Sequence, residues 1–283
     1  MPPTLRRFAF CWEDHRNSVN TNESLDVWRL HKMQHVAIEL YLALTMEAAL
    51  KTVLVVMTGI SYLVAFTPPN GDPRVPPRPP LSKGLIVQRE WFFVFVVARV
   101  LPLQRIMYTI ATLNECLFIL ASQNSSVQTL LPWTYRTQPK TGITTLFLVG
   151  SVISIVGAIL RVACYRALGA GFTFEMLVNN PKLITHGPYS VVRHPSYIGS
   201  WMCWIGPSIV QLVAGSWIRE SGFYDNTLVG RVVILLWEAI MGFGMVNLIL
   251  RVVPEDELMK KQFGKEWEEW AKKVPYKLIP GVY

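Results

Sequence analysis

Charged residues are scarce in this chain. Asp, Glu, Lys and Arg make up 16% of its 283 residues, hydrophobic residues make up 51%, and the mean hydropathy is +0.31. Ordinary soluble domains carry about 25% charged residues. The deficit argues against an ordinary soluble globular domain and predicts an integral membrane protein.

Cysteine is also rare. The four cysteines, Cys11, Cys116, Cys164 and Cys203, form no Cys-x-x-Cys pair and have no histidine at intervals typical of zinc sites. Neither a disulfide framework nor a metal site is predicted. The net charge of +8 could indicate nucleic-acid binding, but the Lys and Arg residues gather in loops and in the C-terminal tail. They therefore indicate membrane topology and attraction to anionic lipid, with the bilayer as a partner and no nucleic acid.

Long apolar runs are abundant. Three of them, near 143–164, 197–214 and 228–250, have the length that a helix needs to cross a bilayer core, about 17–25 residues. A fourth span is predicted at 47–66. The segment 85–121 holds the apolar residues of one span, although two arginines interrupt it. We therefore predict an all-α, multi-pass membrane helix bundle of about five spans, with six as the alternative.

These spans divide the chain into three regions. Residues 1–45 are polar and look neither like a cleavable signal peptide nor like a packed domain, so we expect a disordered arm. Met46 opens a segment that leads into the first span, which suggests the hypothesis that the native chain starts there. Residues 46–142 hold the N-terminal membrane helices and an extended, proline-rich loop at 67–80. Residues 143–283 hold the candidate functional residues.

Two spans determine which side the polar segments occupy. Because 197–214 and 228–250 form a hairpin, the loop 165–196 and the C-terminal tail face the same side. That side is rich in Lys and Arg, whereas the connector 215–227 carries only Arg219. The positive-inside rule makes the basic side cytosolic. In a five-span topology the same rule disfavours the positive charges before the first span, a conflict that a sixth crossing or a later start would remove.

The C-terminal tail is predicted to form an interfacial helix. Pro254 suits the first position of a helix, and the acidic residues 255–257 would follow in its first turn. Leu258, Trp267 and Trp270 would give this helix an apolar side. Such a helix would lie at the membrane interface as a lid over the protein, with a solvated charged tail as the alternative.

Two charged residues fall inside predicted spans, where they are costly and need a partner or a function. Arg161 lies near the cytosolic end of its span, so it could serve a function or extend to the lipid headgroups. Glu238 lies in the middle of its span and could pair with Arg231 or with a polar group on another helix.

A polar, ring-rich segment at 183–199 stands between two apolar segments. Its His194 could be a base or contact a ligand, and Tyr189 and Tyr197 could stack on a purine, although each alone could simply pack at the interface. Glycines and prolines give the segment an irregular path, which at membrane depth is tolerated only where it is buried in protein or lines a cavity. The segment therefore indicates a binding site. The residues that impose this path are Gly187, Pro188, Pro195 and Gly199.

A second polar block follows the last predicted span. Arg251 and Glu255 stand four residues apart, with Pro254 between them to disturb a simple helical ion pair. Arg251 could bind a carboxylate bidentately, and Glu255 could accept from an amino group or from ribose hydroxyls. An interfacial salt bridge between the two is the alternative. Since both polar blocks face one side, they predict one membrane-embedded site.

Together the two blocks resemble the isoprenylcysteine carboxyl methyltransferase family, the protein-S-isoprenylcysteine O-methyltransferases. The resemblance covers about residues 155–283. It implies a multi-pass enzyme of the endoplasmic reticulum membrane, with its active site facing the cytosol. Such an enzyme moves a methyl group from S-adenosyl-L-methionine to the α-carboxylate of a C-terminal prenylated cysteine in CaaX-processed proteins. The matching residues are Gly-Pro-Tyr-Ser-Val-Val-Arg-His-Pro-Ser-Tyr-Ile-Gly at 187–199, Arg251, Glu255-Asp256, Phe263-Gly264, Trp267, Trp270 and Val274-Pro275.

The resemblance also implies roles for particular residues. Arg251 would contact the substrate, and Arg161 would orient or stabilise its carboxylate, so these two are the candidate catalytic and substrate-binding residues. The loop 175–182 is shorter than in some members, which leaves one cofactor contact, from Leu177 or Val178, without a position. No metal is implied. The cofactor would be held by Lys182, Leu183, Ile184, Tyr189, His194, Pro195, Ser196, Tyr197 and Glu255.

Other functions stay open on the sequence alone. A phospholipid amine N-methyltransferase would need a base for its acceptor amine, and Arg161 and Arg251 suit a cationic headgroup poorly. A sterol-type reductase would carry a similar Arg-His-Pro run and would bind NADPH instead. A scaffold or a channel gives no reason for two polar blocks on one face.

Overall fold

Long apolar runs form helices because a bilayer contains no water to bond free backbone groups, whereas a helix satisfies them internally. The computed structural model describes residues 21–71, 73–75, 77–80, 82, 84–130, 141–172 and 182–282. Every regular element among them is helical. The α-helices are α1 (Thr21–Phe66), α2 (Leu85–Gln123), α3 (Ser125–Leu130), α4 (Thr145–Leu168), α5 (Pro195–Leu212), α6 (Trp217–Glu220), α7 (Phe223–Asn226), α8 (Leu228–Phe263) and α9 (Lys265–Lys273).

Five helical segments of the described residues are long and apolar enough to cross a membrane. The prediction of an all-helical, multi-pass membrane bundle with about five spans is therefore confirmed. Large apolar side chains along these segments stay exposed, such as Leu235 and Leu236 at 58%, as surfaces in contact with lipid require. The five segments are Leu44–Phe66, Leu85–Gln123, Thr145–Leu168, Pro195–Glu220 and Leu228–Phe263.

The chain divides into two compact units, with the boundary after Glu47. In the first unit, residues 21–47 form the beginning of α1. The structure thus differs from the expected disordered arm at residues 21–45, where the sequence contains no glycine or proline to interrupt a helix. Residues 1–20 lie outside the described residues. The second unit holds α2 to α9 and the end of α1.

Small residues allow α4 and α5 to pack closely. A Cβ atom at Gly157 of α4 would lie 2.6 Å from the Cβ of Met202, and one at Gly206 of α5 would lie 2.6 Å from the Gly150 carbonyl oxygen. Ser154 returns its hydroxyl to its own helix, donating to that same carbonyl at 2.8 Å. Close approach of this kind is how helices gain packing contacts in lipid, where no hydrophobic force drives them together.

A buried ion pair ties together the end of the bundle where α2 finishes. Lys51 Nζ lies 3.2 Å from Glu115 Oε1 and donates to the Gly215 carbonyl oxygen at 2.6 Å. The other Glu115 oxygen accepts from the backbone N–H of Trp217 at 2.6 Å. Both charged side chains are 1% exposed. The pair therefore joins α1, α2 and the connection from α5 to α6 at one buried point.

For Glu238 the sequence left two partners open, Arg231 or a polar group on another helix. The structure shows the second. Its carboxylate accepts from the Trp204 indole N–H at 2.8 Å and from the Ser208 hydroxyl at 2.9 Å. Both donors lie on α5, so the carboxylate in the middle of α8 is satisfied by polar groups of a neighbouring helix.

The sequence predicted that a separate tail helix begins at Pro254, and this prediction is wrong. Instead α8 continues through Pro254 to Phe263. A proline inside a helix leaves the carbonyl four residues earlier without its usual donor. Here that carbonyl belongs to Leu250, and Arg89 Nη2 lies 3.5 Å from its oxygen, so a side chain of α2 compensates for the missing N–H.

A separate short helix follows α8. Gly264 ends α8 with φ of +56°, a conformation that favours glycine, and α9 then runs from Lys265 to Lys273. Its two tryptophans, Trp267 and Trp270, are both buried. The two tryptophans of the predicted apolar side are therefore packed against the protein, whereas its third member, Leu258 of α8, is 38% exposed.

Candidate active site

The polar segment around residues 182–194 is anchored by the end of the chain. The backbone N–H groups of Arg193 and His194 donate to the carbonyl oxygens of Tyr276 and Lys277, at 3.0 and 2.8 Å. Arg193 Nη2 lies 3.3 Å from the Pro275 carbonyl oxygen. We call residues 275–277 the strap, because they are bonded to residues 193 and 194 of this loop although they lie about 80 residues later in the sequence.

A tight turn precedes the strapped residues. Gly187 adopts φ of +62°, and the Ser190 hydroxyl donates to its carbonyl oxygen at 2.7 Å. The Trp270 indole N–H donates to the Tyr189 carbonyl oxygen at 3.2 Å, so α9 also holds this turn. Burial raises the pKa of the Tyr189 hydroxyl well above its ordinary value.

Two adjacent carboxylates on α8 meet the start of α5. Asp256 Oδ1 lies 3.0 Å from His194 Nε2, and Asp256 Oδ2 lies 3.4 Å from Arg193 Nη1. The Tyr197 hydroxyl donates a short hydrogen bond to Glu255. The rings of His194 and Tyr197 are stacked, with centroids 5.4 Å apart. The structure therefore brings the two polar blocks of the sequence together.

Arg161 is buried against the end of α1. Its Nε and Nη2 atoms donate to the Ala65 carbonyl oxygen at 3.1 and 2.9 Å, and its Nη1 contacts the Ser196 hydroxyl. The Tyr165 hydroxyl donates to the same Ala65 oxygen at 2.5 Å. A guanidinium suits this place because the last carbonyls of a helix lack intrahelical donors. Arg161 is only 2% exposed, so it does not extend to lipid headgroups.

Arg251 meets a residue that the sequence did not single out. Its Nε lies 3.2 Å from Glu90 Oε2, and its guanidinium lies 4.8 Å from the centroid of the Phe93 ring. Glu90 and Phe93 stand three residues apart on α2, so they form one face of that helix. The carboxylate that meets Arg251 thus comes from α2, while Glu255 serves Tyr197.

A cavity of about 190 Å³ joins these groups. One part of its wall is apolar and comes from α2 and α8, with Phe93, Val97, Leu101, Met241, Met245 and Leu248. The remaining part is polar. Most of the predicted site residues lie on it, namely Arg161, Lys182, Ile184, Tyr189, His194, Ser196, Tyr197, Arg251 and Glu255.

Two predicted cofactor residues lie behind the cavity wall. Leu183 packs in a buried cluster with Trp267 and Trp270, and Pro195 is buried at the first position of α5. They support the wall without lining it. The expected contact from Leu177 or Val178 lies outside the described residues.

Several cavity residues were missed by sequence reasoning. Phe93 and Gln104 line the cavity from α2, and Arg193 and Trp267 line it from the polar blocks themselves. Sequence reasoning also missed Glu90 of α2, which contacts Arg251 without lining the cavity. The only signal for Glu90 was its position, since Arg89 and Glu90 form a charged pair at the start of a predicted span. Charged residues at a span edge are common, so this signal alone indicates no site.

The cavity offers donors that the described residues do not use. Trp267 Nε1 and Arg193 Nε are buried, and neither has a hydrogen-bond partner within the described part of the chain. Buried donors are normally satisfied, so these two indicate a ligand with acceptor oxygens or nitrogens. Beside them stand the stacked His194 and Tyr197 rings and the Glu255 carboxylate. This set fits S-adenosyl-L-methionine, which carries a carboxylate, an amino group, ribose hydroxyls and a purine.

Comparison with known proteins gives one family match. The family model described as phospholipid methyltransferase matches residues 145–219, which run from α4 to α6. The matched segment contains Arg161, the strapped loop and the start of α5, and it ends before Arg251 and Glu255. No solved structure matches the chain.

Curated relatives fall into two groups. The chain is 28% identical to a probable protein-S-isoprenylcysteine O-methyltransferase of Oryza sativa subsp. indica over 130 residues, 44% of this chain and 57% of that protein. It is 26% identical to the protein-S-isoprenylcysteine O-methyltransferase of Dictyostelium discoideum over 174 residues, 59% of this chain and 62% of that protein. It is also 27% identical to a delta(14)-sterol reductase of Gibberella zeae over 132 residues, 40% of this chain and 27% of the reductase. The matches thus cover less than two thirds of each relative's length, and they support the expected family in part.

Proposed function

We propose that this protein transfers a methyl group from S-adenosyl-L-methionine to the C-terminal α-carboxylate of prenylated cysteine in CaaX-processed proteins. The observation that carries the proposal is the composition of the cavity beside Arg251. An arginine that can bind a carboxylate, Arg251, lies between an apolar wall and a polar wall. The product is a methyl ester. The similarity to membrane methyltransferases supports the same class of reaction.

The apolar wall suits the prenyl chain of such a substrate. It is formed by α2 and α8, whose outer surfaces face lipid. A prenyl tail dissolved in the bilayer could enter between these helices, and each buried methylene contributes about 0.8 kcal/mol. Phe93 belongs to this wall and also contacts Arg251, so the apolar wall leads directly to the carboxylate-binding group.

The polar wall suits the methyl donor. Glu255, oriented by Tyr197, can accept hydrogen bonds from ribose hydroxyls or from an amino group. Trp267 Nε1 and Arg193 Nε, which have no hydrogen-bond partner among the described residues, could donate to a carboxylate or to ring nitrogens. When bound, S-adenosyl-L-methionine would supply the methyl group, whose bond to sulfur breaks, leaving its electron pair on sulfur, as a substrate oxygen bonds to carbon.

The residues of the chain need only bind, orient and exclude water. An α-carboxylate has a pKa of about 3.5, so it is ionised at neutral pH and needs no general base. Arg251 would hold it, and Arg161, fixed by Ala65 and Ser196, would keep the nearby cavity wall in place or orient the carboxylate. Because the reaction removes charge, a dry cavity favours the transition state, and alignment can contribute about 7–11 kcal/mol.

We place this activity in the endoplasmic reticulum membrane, with the cavity facing the cytosol. The endoplasmic reticulum is what the resemblance to isoprenylcysteine carboxyl methyltransferases implies. The five apolar helices support a membrane location, and the positive-inside pattern of the loops supports the orientation. The partners would be prenylated protein C-termini and the bilayer.

A sterol-type reductase is the second candidate, because delta(14)-sterol reductases are among the relatives of this chain. Such an enzyme would use the same cavity for a flat apolar substrate and would bind NADPH. A phospholipid amine N-methyltransferase is the third, since the matching family model is described as phospholipid methyltransferase. Its acceptor amine would require a base, and it would not benefit from Arg251.

Methyl transfer to N-acetyl-S-farnesylcysteine by membranes that contain the protein tests the proposal. We expect base-labile methyl esters from the wild type and their loss in Arg251→Ala and Glu255→Ala. Glu269→Ala, which removes an exposed carboxylate on α9, is the matched control and should keep activity. Binding of NADPH without binding of S-adenosyl-L-methionine would replace this proposal by the reductase. Methylation of a phosphatidylethanolamine headgroup without ester formation would replace it by the lipid enzyme.

A further inference from the structure

Glu90 is the carboxylate that meets Arg251. Glu90 Oε2 lies 3.2 Å from Arg251 Nε, and the two side chains are 15% and 4% exposed. This Glu90 oxygen is buried, and among the described residues it accepts no hydrogen bond. The contact is therefore an electrostatic one without the directional bonds that hold a permanent Arg–carboxylate pair.

The other oxygen of Glu90 contacts a second positively charged side chain, that of Arg89. Arg89 Nη2 lies 3.2 Å from Glu90 Oε1, and the Arg89 side chain is 32% exposed. Arg89 also contacts the Leu250 carbonyl oxygen that Pro254 leaves without a backbone donor. The Glu90 carboxylate can thus give up Arg251 and still keep a positive partner near the membrane surface.

A substrate carboxylate at Arg251 would lie beside the Glu90 carboxylate. Two like charges sharing one cation oppose each other in a site of low dielectric constant. We propose that Glu90 is a positioning residue that serves as a placeholder for the substrate carboxylate. It holds Arg251 while the cavity is empty, moves toward Arg89 when the anionic substrate binds, and returns once the carboxylate has become a neutral ester. This inference rests on the proposed methylation of a carboxylate.

The placeholder has a consequence for product release. The ester product carries no charge and competes with Glu90 for Arg251 far less well than the acid substrate does. Returning Glu90 to Arg251 therefore favours departure of the product over departure of the substrate. A side chain that only supported the fold would not make both ligands bind more tightly when its charge is removed.

The test compares acid and ester in the complete protein in membranes or detergent. Glu90→Gln keeps the size of the side chain and removes its charge. We expect the KM for N-acetyl-S-farnesylcysteine to fall about three- to tenfold, because the competing carboxylate is gone. The inhibition constant of its methyl ester should fall by a similar factor, while the single-turnover rate of methyl transfer stays within about twofold.

Two further variants guard against trivial explanations. Glu90→Asp keeps the charge and shortens its reach, so it should give a KM between those of wild type and Glu90→Gln. A thermal unfolding scan shows whether Glu90→Gln folds. If it does not fold, the KM of Glu90→Asp alone tests the placeholder role. Glu269→Gln removes an exposed carboxylate elsewhere and should leave all three constants unchanged.

The outcomes separate this proposal from the proposed function. An active wild type with a raised or unchanged KM in Glu90→Gln, or in Glu90→Asp if only that variant folds, would overturn the placeholder role alone. A wild type that neither methylates nor binds the farnesylated acid would overturn the methylation proposal, and the placeholder role with it. Tighter binding of both acid and ester in Glu90→Gln would support the placeholder.

Discussion

The hydroxyl of Tyr197 donates a hydrogen bond to the carboxylate of Glu255, joining the first turn of α5 to the C-terminal half of α8. This bond fixes one carboxylate oxygen and leaves Glu255 on the wall of the cavity. The neighbouring Asp256, which also lines the cavity, lies 3.0 Å from His194 Nε2 and 3.4 Å from Arg193 Nη1. The two adjacent acids therefore have different partners, a tyrosine hydroxyl for Glu255 and two cationic or ring nitrogens for Asp256.

Replacement of Tyr197 by phenylalanine should weaken cofactor binding without abolishing the fold. The change removes a hydrogen bond to a charged group, which is worth about 1.5–3 kcal/mol, or roughly tenfold or more in affinity. The dissociation constant of S-adenosyl-L-methionine should therefore rise about tenfold, while the KM for the farnesylated acid stays close to that of wild type. Isothermal titration together with steady-state kinetics checks this, and Tyr224→Phe, in the α7 region far along the chain from the site, is the matched control.

Methyl transfer at saturation should be insensitive to pH between about 7 and 9, because the attacking carboxylate is ionised throughout that range. The ordinary pKa of an α-carboxylate is about 3.5, so no group has to lose a proton before reaction. An amine acceptor would behave differently, with a rate that increases as pH rises. A pH profile of the single-turnover rate distinguishes the two, and a steep alkaline increase would contradict a carboxylate acceptor.

Removal of the strap should loosen the cofactor site. Deleting residues 275–283 removes the carbonyls that receive the N–H groups of Arg193 and His194. The loop then has to become ordered when ligand binds, and we expect the affinity for S-adenosyl-L-methionine to fall about tenfold. Deleting only residues 279–283 keeps those carbonyls and should have little effect. Equal affinities for the two truncated proteins would show that the strap does not order the site.

A larger side chain between α4 and α5 should destabilise the bundle. At Gly157 a Cβ atom would lie 2.6 Å from that of Met202, so leucine at this position must push the helices apart. Overpacking of this kind costs about 1–3 kcal/mol, which a thermal unfolding scan in detergent detects as a lower Tm. Gly242→Ala is the control, because its nearest neighbour, Trp204, is 3.7 Å away.

The buried pair of Lys51 and Glu115 should respond differently to single and double replacement. Removing one partner leaves a buried charge without compensation and should cost about 3–5 kcal/mol. The double variant Lys51→Met, Glu115→Leu should recover a large part of that loss, because well-packed apolar residues tolerate this environment. Unfolding measured for all four proteins in one detergent gives the coupling energy. Additive losses would mean that the two side chains do not stabilise each other.

Much of the fold could be predicted because hydropathy and length alone identify helices that cross a bilayer. The course of the tail could not be predicted, since Pro254 normally starts or breaks a helix. The donor that compensates the Leu250 carbonyl for the missing N–H of Pro254 is Arg89, which belongs to α2. Those residues of the candidate site whose charged or aromatic side chains are unusual in or beside a membrane span could be predicted from the sequence. Arg161, Tyr197, Arg251 and Glu255 all line the cavity.

By itself, the sequence determined the membrane environment, the helical segments and the two polar blocks, because these depend on local composition. The tertiary structure decided which groups meet. Arg251 contacts Glu90, and Arg161 caps the end of α1 at Ala65. These contacts link helices far apart in the chain, and side-chain periodicity within one helix carries no information about which charge a neighbouring helix will present.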